Sequence, residues 1–312
     1  MTLIVTSRTL PRVRETINDI KEFVDKLNRP GIVDFDYLLV DFTNMVSVLS
    51  AYNDLKKYKA IHYYFANSAL GLYHGIDWIG ATKQSLTAPM EAVTNPNYRI
   101  QKVGIKSSDD MGMVFQANVF GPYYLIQKIL PQLSAGKAKV VWVSSLLSKP
   151  EYLSFQDMQL IESDITYEGS KRLVDLLHLA TYKQLSSIDI QQYVVHPGIF
   201  QSNSFNQFLN VFTYYSMLLM FYLARYLGSK WHNIDGYKAA NAPVYVATTE
   251  STELKGQDVK YGSATNWNAE EYIEFQEIDA TGANDVLKYM EDLKEEWDKK
   301  LENQITKTRI PI

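Results

Sequence analysis

The chain has 312 residues and no cysteine, which excludes disulfide bridges, thiolate catalysis and any cysteine-ligated zinc. Glycine is missing from the front, where Gly31 is the first, so nothing before it builds a glycine-rich phosphate loop. Basic charge is not in excess: the net charge is -4, and no Lys/Arg cluster alternates with aromatics, which argues against nucleic acid as a partner. The five histidines, at 62, 74, 178, 196 and 232, lack ligand-like spacing, and no metal site is expected. The opening Met1-Thr-Leu-Ile-Val-Thr-Ser-Arg8 turns polar after a few apolar residues and reads as a strand, not a secretory signal. No strongly apolar run reaches the ~20 residues that a membrane span needs.

Charge is also missing from 190 to 224, which holds no Asp, Glu, Lys or Arg, and 211–224 is strongly apolar. Within a 205–228 segment this reads as a membrane-surface helix or a hydrophobic lid over a substrate, with a buried core helix as the alternative. Arg225, Lys230 and several tyrosines at its end suit an interface.

Hydrophobic residues make up 46 % and charged residues 21 %, ordinary for a folded chain of one large α/β domain. Strand-like and helix-like runs alternate. Leu3–Val5 is a strand, and Pro11 opens a helix carrying Val13, Ile17, Ile20, Val24 and Leu27 at helical spacing. Tyr37–Asp41 is a second strand, 45–57 a helix, and Ile61–Ala66 a third strand ending at Asn67. The stretch 78–110 lacks periodicity, carries Pro89 and Asn95-Pro96, and reads as an insertion or long loop. A long helix over 111–130 bears Asn118. Strand 139–143, a polar loop 146–165, a helix from Tyr167 and strand 188–195 closing on His196-Pro197-Gly198 complete the pattern. It predicts a Rossmann-like, doubly wound parallel sheet over 1–250 and a C-terminal extension, 251–312, ending in a docked amphipathic helix.

Five Tyr-x-x-x-Lys pairs occur, at 52/56, 98/102, 124/128, 167/171 and 226/230, as expected by chance with 22 tyrosines. Only Tyr167/Lys171 follows a strand ending in Ser144-Ser145 and precedes one ending in Pro-Gly. Residues four apart share a helix face, so the Lys171 ammonium is expected near the Tyr167 phenol, lowering its pKa. A tyrosine so placed donates a proton to a carbonyl oxygen while Ser145 holds that oxygen.

These residues, in this order, resemble the short-chain dehydrogenase/reductase family over most of 1–250. Asn67 stands where that family has Asn-Asn-Ala-Gly, although Ala66-Asn67-Ser68-Ala69 keeps only the one residue. The long Ser145-to-Tyr167 interval, the run from Tyr167 to Leu179 and Gly236-Tyr-Lys-Ala-Ala-Asn-Ala-Pro-Val-Tyr245 narrow the likeness to the fungal 3-keto sterol reductases. Their nearest animal relatives are type 7 17β-hydroxysteroid dehydrogenases.

The resemblance implies a catalytic set of Ser145, Tyr167, Lys171 and Asn118, the last reaching the lysine through water. It implies NADPH as cofactor, with Asp41 at the adenine, Asn67 beside it, Tyr167 and Lys171 toward the ribose, and Ile199 and Ser202 closing on the nicotinamide. Ser7-Arg8 ends the first strand with no acid to accept ribose hydroxyls, and Arg8 suits a 2′-phosphate. The implied reaction reduces the 3-ketone of a C4-demethylated sterol to the 3β-hydroxyl in ergosterol biosynthesis. The implied setting is the cytosolic face of the endoplasmic reticulum, with lipid droplets as a second location, and peripheral or monotopic attachment beside other sterol C4-demethylation enzymes. Two alternatives stay open: a reductase of another lipophilic ketone such as a 17-keto steroid, and a non-catalytic scaffold of a membrane sterol-enzyme complex. The family's first strand and Thr-Gly-x-x-x-Gly-x-Gly loop should precede Leu3; the expectation is that Met1 is an internal start and that the sheet is left with two apolar edges.

Overall fold

Val140, Val141, Trp142 and Val143 are all buried, and because side chains alternate along a strand this places apolar groups on both faces of one sheet. The computed structural model describes residues 1–27, 30–202 and 208–306. In chain order the first elements are β1 (Thr2–Ser7), α1 (Leu10–Lys26), β2 (Asp34–Leu39), α2 (Met45–Leu55) and β3 (Tyr63–Ala66). Then come β4 (Tyr73–Ile76), α3 (Trp78–Thr87), α4 (Pro89–Thr94) and β5 (Arg99–Gln101). A continuous helical stretch follows: α5 (Met113–Phe115), a π turn over Gln116–Phe120, and α6 (Gly121–Lys128). Next are α7 (Leu130–Ala135), β6 (Lys139–Val143), α8 (Thr166–Ser186), β7 (Gln191–His196) and β8 (Ile199–Phe200). The chain ends with α9 (Val211–Tyr226), β9 (His232–Ile234), α10 (Gly236–Ala239), α11 (Asn241–Thr248), β10 (Val259–Thr265), β11 (Glu271–Glu277) and α12 (Ala283–Leu301).

The main sheet has the order β11-β10-β7-β6-β3, parallel except for β11. One face buries Val140, Trp142 and Val194 under α6, α8 and α12; the other buries Val141, Val143 and Val195 under Ala242 and Val246 of α11. β1 and β2 form a separate parallel pair. Ile4 of β1, Ala66 of β3, α2 and α6 nevertheless share one core, so the two sheets sit on common packing. β1 and β3 each keep one edge without a strand partner among the described residues, and Tyr63 and Phe65 of β3 are 51 % and 45 % exposed. Two open strand edges were expected, and β1 and β3 each present one.

Two expectations are corrected and one alternative is set aside. The stretch 78–110 is structured: Asp77 caps α3 by accepting from the amides of Ile79 (3.1 Å) and Gly80 (3.0 Å), and Pro89 starts α4 where no N–H is needed. Such short elements bury too little apolar surface to show a period. The boundary at 250 does not divide the fold, because β10 pairs with β7 inside the main sheet and α12 packs on α8. The apolar segment is not a core helix. In α9 only Phe221, Ala224 and Arg225 are buried, while Phe212 and Leu219 are 78 % and 68 % exposed; residues 205–207 of that segment lie outside the described ones.

The terminal helix is amphipathic, as its spacing predicts, burying Val286, Met290, Leu293, Trp297 and Leu301. Trp297→Ala is therefore expected to destabilise the protein by about 3 kcal/mol in urea unfolding. A change below ~1 kcal/mol would mean the helix is not part of the core.

Candidate active site

In a parallel sheet with helical crossovers the carboxyl ends of the strands form a common edge where ligands bind. Here the carboxyl ends of β3, β6 and β7 carry Asn67, Ser144-Ser145 and Pro197-Gly198, and those of the separate pair β1 and β2 carry Ser7-Arg8 and Asp41. The N-terminal turn of α8 brings Tyr167 to the carboxyl edge of the main sheet. That turn is capped from a distance: the Gln101 side-chain oxygen accepts from the Tyr167 amide and the Thr166 hydroxyl, both at 2.9 Å. Gln101 in turn donates to the buried carboxylate of Glu168 at 2.6 Å. An acid in the first turn also suits the positive end of the helix dipole. The tyrosine's position is thus set by β5, in the stretch without sequence periodicity.

Lys171 is buried, 3 % exposed, and its Nζ donates to the Val143 carbonyl at 2.8 Å while standing 5.6 Å from the centre of the Tyr167 ring. Burial pulls its pKa down to about 8, with Asp175 opposing the shift and Lys260 reinforcing it. The Tyr167 phenol moves the other way. Burial, reinforced by Glu168 and opposed by Arg99, pushes its pKa up to about 12. The expectation that Lys171 lowers it is corrected, because desolvation outweighs an ammonium already turned to a backbone carbonyl. The phenol therefore stays protonated over the neutral range. Ser145 is half-buried and its Oγ accepts from the Leu147 amide at 3.0 Å, a contact that leaves the hydroxyl proton for another acceptor.

Asn118 occupies the π turn, a distortion frequent at functional sites. Its side chain makes no hydrogen bond to Lys171 among the described residues. It instead accepts from the Leu70 amide at 2.6 Å and donates to the Leu70 carbonyl at 2.9 Å and the Ser170 hydroxyl at 3.0 Å. Asn118 thereby pins the chain after β3 to α8.

The proposed cofactor residues are more dispersed. Arg8 is exposed and takes part in no ion pair among the described residues, so its guanidinium is available to an anion. Ser7 lies half-buried beside it. Asp41 accepts from the Thr43 amide (2.9 Å) and hydroxyl (2.7 Å) through one carboxylate oxygen, which fixes the turn into α2. Asn67 and Ser202 are exposed; Ile199 donates its amide to the Trp231 carbonyl at 2.7 Å, which anchors the strand after Pro197-Gly198. Among the described residues no group of His, Asp and Glu is arranged to hold a metal.

Of the other Tyr-x-x-x-Lys pairs, Tyr124 and Lys128 both hold Asp298 of α12, at 2.7 Å each, and are structural. Two buried groups went unread: Asp175, four residues beyond Lys171, and Lys260 of β10, which form an ion pair behind the Ser145 loop. The four-residue spacing of Lys171 and Asp175 was the available signal.

No protein-family model matches the chain. A 3-keto-steroid reductase of Candida glabrata is 67 % identical over 313 residues, covering 100 % of this chain and 90 % of the relative. The 3-keto-steroid reductase ERG27 of Saccharomyces cerevisiae is 63 % identical over 315 residues, covering 100 % and 91 %. Among solved structures, a short-chain dehydrogenase/reductase of unknown function from Caenorhabditis elegans, determined with cofactor, superposes with a TM-score of 0.55 at 16 % identity, covering 83 % of each chain. These identities establish that the chain belongs to the 3-keto-steroid reductases, and the superposition shows that it has the fold of a short-chain dehydrogenase/reductase.

Proposed function

We propose that the protein uses NADPH to reduce the 3-ketone of a C4-demethylated sterol to the 3β-hydroxyl. The observation that carries this reading is the buried Lys171 ammonium beside the Tyr167 phenol and the end of β6, with the Ser145 hydroxyl proton uncommitted in the same loop. NADPH fits the residues at two points. Lys171 spends one of its three protons on Val143, leaving two for ribose hydroxyls, and among the described residues Arg8 has no carboxylate competing with a 2′-phosphate.

Bound NADPH supplies the hydride to the carbonyl carbon. The protein's part is proton management. Tyr167, kept neutral by burial, donates its phenolic proton to the ketone oxygen, and Ser145 donates a hydrogen bond to the same oxygen. The phenolate left behind is costly in a desolvated site, and the Lys171 cation offsets part of that cost.

The split between the two sheets favours a second reading, a non-catalytic partner in a membrane sterol-enzyme assembly. NADPH titration separates them: micromolar affinity supports the enzyme, and no binding with retained partner association supports the scaffold. We place the protein on the cytosolic face of the endoplasmic reticulum or on lipid droplets, next to other sterol C4-demethylation enzymes. The exposed apolar face of α9 supports interfacial attachment, and no described helix is long and apolar enough to cross a membrane.

Tyr167→Phe is expected to lower kcat by about 10²- to 10⁴-fold, far more than it weakens NADPH binding; an unaltered kcat would remove the tyrosine from the chemistry. Because the ammonium is the active form of Lys171, kcat/KM should fall as pH rises through about 8, and a profile flat to pH 10 would contradict its role. In vesicle flotation, replacing Phe212 and Leu219 by Glu should reduce membrane binding by at least about tenfold. Unchanged flotation would reject attachment through α9.

A further inference from the structure

The loop that carries Ser145 leaves the sheet immediately. The amide of Ser144 makes the last ladder bond, to the Val195 carbonyl at 2.8 Å, and among the described residues no strand pairs with the chain from Ser145 to Ser148. What holds it is a buried ion pair that the chemistry proposed above leaves unused. Asp175 is 1 % exposed and lies on α8, four residues after Lys171 and eight after Tyr167, so all three occupy one side of the helix. One of its carboxylate oxygens accepts from the Ser144 hydroxyl at 2.6 Å, and the other accepts from the Ser148 hydroxyl at 2.6 Å. Lys260 closes the arrangement from β10. Its Nζ pairs with the Asp175 oxygen that Ser148 uses, donates to the Ser148 hydroxyl, and reaches the Ser145 carbonyl at 3.3 Å.

Ser145 is therefore bracketed. The residue before it and the residue three after it bind the two oxygens of one carboxylate, and its own carbonyl binds that carboxylate's counter-ion. The carboxylate stands on the helix that delivers Tyr167 and Lys171, so serine, tyrosine and lysine are fixed against one another through a single side chain.

Stability alone is a weak reason for such a pair. Desolvating two charges costs about what their attraction returns, and a well-packed apolar pair of the same volume commonly serves the fold equally well. Geometry is a stronger reason, since a misplacement of ~1 Å in a reacting group can cost on the order of 10²-fold in rate.

We infer that Asp175 and Lys260 are positioning residues, which hold the Ser145 hydroxyl in register with the Tyr167 phenol so that both reach one ketone oxygen. The inference rests on the reductase reading for its catalytic consequence, but not for the tether itself.

The test uses the full chain in three forms besides the parent: Asp175→Leu/Lys260→Met, which removes both charges so that neither is left buried alone; Asp175→Asn/Lys260→Met, which restores an acceptor for Ser144; and Ser144→Ala/Ser148→Ala, which keeps the ion pair but cuts the tethers. Amide hydrogen exchange of the peptide spanning 144–149 is read alongside kcat and KM for a 3-keto sterol. The inference expects the Leu/Met and Ala/Ala forms to exchange at least about tenfold faster in this loop with α8 protection unchanged. It further expects kcat to fall on the order of 10²-fold with KM for NADPH within about twofold, and the Asn/Met form to recover part of both. Loop exchange and kcat equal to the parent's in the Leu/Met form would overturn it, as the pair would then be packing only. If the Leu/Met form does not fold, the Ala/Ala form decides by the same two readings. A parent that turns over no ketone but whose loop loosens in the variants would sink the reductase reading and leave the tether standing.

Discussion

The site depends on how β6 ends. Its four apolar residues are buried on both faces, so the polar backbone at its carboxyl end must be satisfied inside the protein. The Val143 carbonyl takes the Lys171 ammonium, the Ser144 amide takes Val195, and the Ser144 hydroxyl takes Asp175. The first and third contacts join the strand to helix α8, and the second joins it to β7. The same burial that builds the core thereby draws a lysine out of water, keeps a phenol protonated and leaves a serine hydroxyl at the surface of the junction.

Long-range contacts then fix details that strand and helix alone leave free. Gln101 caps the turn that carries Tyr167, Asn118 ties the chain after β3 to the same helix, and Arg225 donates to the carbonyls of His232 (2.8 Å) and Asn233 (2.5 Å). The Asn233 amide in turn holds the carbonyls of Pro197 (2.7 Å) and Ser263 (2.8 Å). The exposed helix α9 is therefore rooted beside the Pro197-Gly198 turn.

Much of this was legible in the sequence. The Val140–Val143 run, the Ser-Ser and Pro-Gly strand ends and the four-residue spacing of Tyr167 and Lys171 are local features, and local features survive reading in one dimension. Gln101 was illegible because it acts across 66 residues from within short elements with no period. Lys260 was illegible for the related reason that β10 enters the sheet far downstream, where composition suggested an extension. The direction of the Tyr167 shift was misread because spacing reports proximity to a cation but not the depth of burial, and burial prevails here. The outward face of α9 was undecided because an apolar helix looks the same whether it faces a core or a bilayer.

The central claim is that this junction delivers a proton to a sterol ketone as hydride reaches its carbon. It is tested most directly by incubating the protein with a 3-keto sterol and NADPH deuterated at the transferred position, then analysing the product by mass spectrometry. The account predicts a 3β-alcohol carrying one deuterium on carbon 3. Recovery of unreduced ketone from a protein shown to bind both ligands would contradict it.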